Sequence, residues 1–171
     1  MSSQSIKPFP DDEEDLFDNF GTVRMNSLMP GRYIMECLDA EIKTAQRRDG
    51  SGSFQSRQWI FRPIGGSVKR PKTLPLDWRW RHMSSAEISP TNQTGKIIAA
   101  LMGVDMLTES VQISRKGLIG KYLVVELMLD ERGQFNQPNG RDAFDVLTPE
   151  FAKQFRWRKE DLEEGEETAS F

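Results

Sequence analysis

Phe54-Gln-Ser-Arg-Gln-Trp-Ile-Phe-Arg62 and Leu74-Pro-Leu-Asp-Trp-Arg-Trp-Arg81 decide how this chain folds. Both are short, aromatic-rich, alternating runs bounded by Gly and Pro, and both read as β-strands. In the first, a period of two puts Arg57, Trp59 and Phe61 on one side, while Phe54 and Ile60 offer a competing core phase. In the second, Arg79 and Arg81 share a side, and Leu74, Leu76, Trp78 and Trp80 share the other. That Leu-x-Leu-x-Trp-x-Trp pattern makes Trp78 and Trp80 candidate core residues, and Pro75 restricts the strand's start to a sheet edge.

Working outward, Pro30-Gly31 signals a turn, and residues 32–44 alternate with Ile34, Leu38, Ala40 and Ile42 on one side, a half-buried first strand. Arg47 and Arg48 open a flexible turn, and a basic loop carrying Lys69, Arg70 and Lys72 separates the second strand from the third. A helix is predicted over 91–102, capped by Ser89 or Thr91, with Ile97, Ile98, Leu101 and Met102 as its apolar face and Gly103 as its stop. Residues 118–129, the most apolar stretch, predict a central fourth strand. Residues 134–146, interrupted by Pro138-Asn139-Gly140, predict a weaker fifth, and Thr148 starts a short helix carrying Phe151 and Phe155.

Three strands, a helix and two strands give a mainly β, α+β chain whose order resembles the OB-fold, a five-stranded barrel. In that fold the face of strands 2 and 3 and certain loops bind oligonucleotides. The organisation expected is an acidic flexible arm (1–21), an OB-fold-like domain (22–147), a short helix (148–158) and an acidic disordered tail (159–171).

Single-strand binding needs cations along a backbone track and flat rings for unstacked bases. Arg57, Trp59, Phe61, Arg79 and Arg81 are the candidate face, and Arg47, Arg48, Lys69, Arg70, Lys72 and Lys121 supply candidate phosphate contacts, with Arg115 and Lys116 nearby. Each of the loop cations also reads as ordinary solvated charge.

The charge distribution is uneven. Residues 1–18 hold Lys7 against six acids, a net of −5, and residues 159–171 hold Lys159 against six, again −5. The whole chain carries −3, which leaves +7 on residues 19–158. Acidic ends can cover a basic body until a polyanion displaces them, or can simply keep the protein in solution. Leu16, Phe17 and Phe20 form an apolar cluster within the first acidic run, either a docking motif or a strap.

The final run, Glu163-Glu164-Gly-Glu166-Glu167-Thr-Ala-Ser-Phe171, resembles the C-terminal tips of phage and bacterial single-stranded-DNA-binding proteins. It departs from the usual bacterial tip in having few Asp and no Pro before the final Phe. The body resembles small phage proteins of this class through Leu76-Asp-Trp-Arg-Trp, the helix, and Gly120-Lys121. The resemblance implies a non-enzymatic protein that binds single-stranded DNA in replication, recombination or repair. It also implies that Glu163, Glu164, Glu166, Glu167 and Phe171 dock replication or recombination proteins, and that the tail competes with DNA for the basic groove.

Enzyme readings find little support. His82 is the only histidine and Cys37 the only cysteine, too few for a His/Cys metal cluster. A Ser84–His82–Asp77 triad lacks a nucleophile elbow. Thr94-Gly95-Lys96 lacks the earlier glycine and the following hydroxyl of a phosphate loop. No cofactor is implied. With one cysteine, no signal-like N-terminus and no spanning apolar run, a cytoplasmic protein without a membrane partner is expected, in a bacterial host cell if phage-encoded. The fourth strand or C-terminal helix could form a homodimer. Two other readings stay open: a protein–protein adaptor or inhibitor of a host enzyme with no DNA affinity, and a binder of duplex DNA or RNA.

Overall fold

A computed structural model describes residues 26–108 and 112–162. In chain order the elements are β1 (Gly31–Gln46), β2 (Ser53–Gly66), β3 (Trp80–Ser85), α1 (Gln93–Met102), α2 (Arg115–Leu118), β4 (Tyr122–Leu129), β5 (Asn136–Pro138), β6 (Phe144–Asp145) and α3 (Pro149–Phe155). All pairings between these strands are antiparallel, in the order β3-β2-β1-β4-β5, with β6 also on β4.

The sheet is curled. Its two end strands, β3 and β5, would stand about 19 Å apart in a flat sheet. Instead Trp80 Nε1 on β3 donates to the carbonyl of Asn136 on β5 at 3.2 Å. Irregularities in the β1–β2 ladder, between Ile34 and Met35 and between Cys37 and Asp39, supply bends of the kind that curl a sheet. The result is a five-stranded OB-like half-barrel with a few short helices.

Tyr33, Met35, Cys37, Trp59, Phe61, Trp80, Leu123, Val125 and Leu127 fill its inside, and Ile97, Ile98 and Leu101 of α1 close one end. A smaller cluster on the outer side, Ile34, Ile64 and Val124, is covered by Phe151 and Phe155 of α3. Gly65 makes that seat possible. A Cβ there would lie 2.5 Å from the Phe155 carbonyl oxygen and 2.8 Å from Arg156 Cα. Just beyond, Trp157 N donates to Ile64 O at 3.0 Å.

Five features differ from the sequence reading. β3 begins at Trp80; residues 74–79 are turns, closed by Leu74 N to Pro71 O and Trp78 N to Pro75 O. The cap of α1 is Asn92, whose side chain accepts from Gly95 N, rather than Ser89 or Thr91. The entry to β4 is a helical turn, α2, capped by Ser114. The expected fifth strand is two short pieces, because Pro138-Asn139-Gly140 turns the chain, with Gly140 at φ 87. At the C-terminal end α3 stops at Phe155, and residues 159–162 form another helical turn. The arm 1–21 and the acids Glu163, Glu164, Glu166 and Glu167 with Phe171 lie outside the described residues. Among the described residues, no helix is long and apolar enough to cross a membrane.

Candidate nucleic-acid interface

The outer face of β2 and β3 carries the phase opposite to the core. Gln58 pairs with Met83 and Ile60 with Arg81, while Trp59 opposite His82 and Phe61 opposite Trp80 point inward. Beyond the last ladder pair, Phe61 with Trp80, Arg62 and Arg79 line one cleft. Met83 is 54% exposed, so an apolar and cationic band faces outward along this sheet edge.

The band ends in a cleft of ≈ 390 Å³ lined by Arg62, Arg70, Arg79, Leu76, Trp78, Lys159 and Leu162, among others. Local structure fixes each wall. Arg70 donates to the carbonyls of Pro71, Leu74 and Pro75 and so holds the 71–75 turn in place. Arg79 donates to Leu76 O and Trp78 O. Trp78 Nε1 donates to Asn26 O at 2.8 Å, which pins the start of the described chain to the cleft.

Three guanidinium groups share this space. Burial lowers the pKa of Arg70 and of Arg79 and the charge of Arg62 lowers both further, while the carboxylates of Asp77 and Glu36 act the other way on Arg79. Arg62 sits 3.8 Å from Glu36, and no carboxylate among the described residues lies within ion-pairing distance of Arg70 or Arg79. Like charges held together at a partly buried cleft favour an incoming anion.

The strand-2 side assignment needs correction. Arg57, Trp59 and Phe61 were expected on the binding face, yet Trp59 and Phe61 are fully buried and stack on each other at 5.9 Å between centroids. Phe61 stacks in turn on Trp80 at 5.4 Å. Large rings gain more inside the barrel than Phe54 and Ile60 would, so Trp59 and Phe61 take the core and the Phe54–Ile60 phase faces outward. Arg57 is buried with them and donates to Ala40 O at 3.2 Å, while its Nε has no partner among the described residues.

Of the other expected cations, Arg81 is exposed on the outer face, and Arg47 lies over the Phe54 ring at 5.6 Å on the β1–β2 hairpin. Arg48, Lys69, Lys72 and Lys121 are exposed, Lys121 just ahead of β4 and separated from β2 by β1. Arg115 holds Asp39 through two hydrogen bonds of 2.7 and 2.8 Å. Sequence reasoning missed Ile60, Arg62 and Met83 as a face; the signal for the first two was the Phe54–Ile60 phase, which continues to Arg62.

No known family model, no curated protein and no solved structure matches the chain.

Ser84 and His82, two of the groups considered for catalysis, have other partners. Ser84 Oγ accepts from Trp59 Nε1 at 2.8 Å and from Thr94 Oγ1 at 2.6 Å. His82 instead lies 2.6 Å from Gln93 Oε1, stacks on Trp80, and burial pushes its pKa down. Cys37 is fully buried and its thiol is pushed up to about 12, chiefly by that burial. Among the described residues no group of three or more His, Cys, Asp or Glu is placed to hold a metal ion.

Proposed function

We propose that the protein binds single-stranded DNA on the outer face of β2 and β3, without strong sequence preference, during replication or recombination. The observation that carries this reading is the Arg62–Arg70–Arg79 cluster beside Trp78, continuous with Ile60, Arg81 and Met83. Cations there alternate with apolar groups. A duplex hides its bases and offers mainly phosphates, whereas a single strand offers phosphates and base faces together. Trp78 and the guanidinium planes take the stacking role first assigned to Trp59 and Phe61. Phe54 with Arg47 extends the track along the hairpin.

The acids Glu163, Glu164, Glu166 and Glu167 follow directly on Leu162, a residue of the cleft wall. In this reading they and Phe171 recruit partner proteins, the ring filling an apolar pocket and the α-carboxylate meeting a basic residue.

The test is a titration of fluorescently labelled single-stranded DNA, duplex DNA and RNA of equal length at two salt concentrations. Tightest binding to single-stranded DNA that weakens with salt supports the reading. Tighter binding to RNA or duplex would reassign the polymer, and no binding to any of them would move the protein to the adaptor class.

A further inference from the structure

The N-terminal acidic run is opposite in charge to the same cleft. We propose that residues 11–20 dock in cis across the Arg62–Arg70–Arg79 cleft as a polyanion mimic, and leave it when a longer polyanion competes.

The start of the described chain is clamped at the cleft mouth. Asn26 O accepts from Trp78 Nε1, Leu28 N and O both bond to the Asn136 side chain, and Leu28 is fully buried. Whatever precedes Asn26 therefore sets out from beside Trp78. At roughly 3.3–3.6 Å per residue, Phe20 can reach about 20 Å from that anchor and Asp11 about 50 Å. The cleft is well within range.

The chemistry is complementary in two respects. Asp11, Asp12, Glu13, Glu14, Asp15 and Asp18 meet three guanidinium groups, two of which have no carboxylate partner among the described residues. Leu16, Phe17 and Phe20 are interleaved with these acids, as Leu76 and Trp78 are with the arginines. A tethered segment acts at an effective concentration near millimolar, so weak contacts suffice to occupy the site. Exchange with DNA then becomes a salt-dependent competition, and the cations of the cleft are shielded from unrelated anions.

This inference rests on reading the cleft as a polyanion site, but its test contains no DNA, so the two can fail separately. Zero-length carbodiimide coupling of the unmodified full chain at low salt should join Lys159, which lines the cleft, to a carboxylate among Asp11–Asp18 within one chain. High salt should abolish the link. Links from Lys159 to the tail acids alone, links only between chains, or no link would each overturn the proposal. In a second measurement the six arm acids become amides (D11N, D12N, E13Q, E14Q, D15N, D18N) in the full chain. Iodide quenching of the half-buried Trp78, taken as the difference from W78F, should rise about two-fold as the cations are uncovered. Unchanged quenching would overturn it as well.

Discussion

Trp80 and Asn136 meet across the gap between the two end strands of the curled sheet, the indole N–H donating to the carbonyl oxygen at 3.2 Å. The same ring stacks on Phe144 of β6 at 6.1 Å, and the neighbouring His82 ring of β3 lies 5.8 Å from that Phe144. Trp80→Phe removes the bond and part of the packing. The expected loss is about 1–3 kcal/mol of stability, read as a lower urea midpoint; an unchanged midpoint would mean that the seam needs no such bridge.

At the cleft, R62Q combined with R79Q removes two candidate phosphate contacts. Each contact contributes a slope of about 0.7 in log affinity against log salt for single strands, so the pair should flatten it by ~1.4. R57Q serves as the contrast, because Arg57 is buried at the inner phase and bonds Ala40 O. A slope that moves with R57Q and not with the pair would place the DNA elsewhere.

Stability should also depend on His82. Its pKa in the folded protein lies below the ordinary 6.5, because burial disfavours the imidazolium. Below the unfolded value the unfolded chain therefore binds more protons, and stability falls as pH drops through that region, levelling off once the folded imidazole is protonated. Thermal melts from about pH 7.5 to 5.5 should show a declining Tm whose steepness is reduced in H82Q. Parallel curves for the two proteins would remove His82 as the cause.

Gly65→Ala tests the seating of α3. The new methyl would meet backbone at the Phe155 carbonyl and Arg156 Cα, which cannot yield as a flexible side chain would. A cost of about 1–3 kcal/mol is expected. Hydrogen exchange at Trp157 N–H, bonded to Ile64 O, should quicken more than exchange within β1. Equal acceleration everywhere would point to general destabilisation instead.

The strand–helix–strand order was legible because it rests on short-range periods: alternation in 32–44 and 54–62, and an apolar helical face of which Ile97, Ile98 and Leu101 pack inward while Met102 stays exposed. What could not be read was which phase faces inward, either in 32–44, where Tyr33, Met35 and Cys37 fill the core while Ile34 joins the outer cluster and Ile42 is exposed, or in 54–62. Both phases carry rings, and the choice depends on Trp80 and Phe61 meeting across strands, a contact far apart in sequence. Leu74 to Trp78 likewise alternates like a strand. It is held as turns by Arg70, through hydrogen bonds to carbonyls that no periodicity reveals. Arg81 keeps the side the alternation gave it, whereas Arg79 lies ahead of β3 in the same cleft as Trp78, which the alternation had put opposite, and Arg62 became visible only once the phase of β2 was known.

Cys37, sealed inside the barrel with a thiol that ionises only near pH 12, leaves the described surface chemically silent toward maleimides and other thiol reagents. Any cysteine added to this protein, for instance Ser51→Cys at the exposed hairpin tip, becomes its sole reactive handle without first deleting a native one. A dye there, paired with one on an oligonucleotide end, would report the polarity with which a strand lies along β2 and β3.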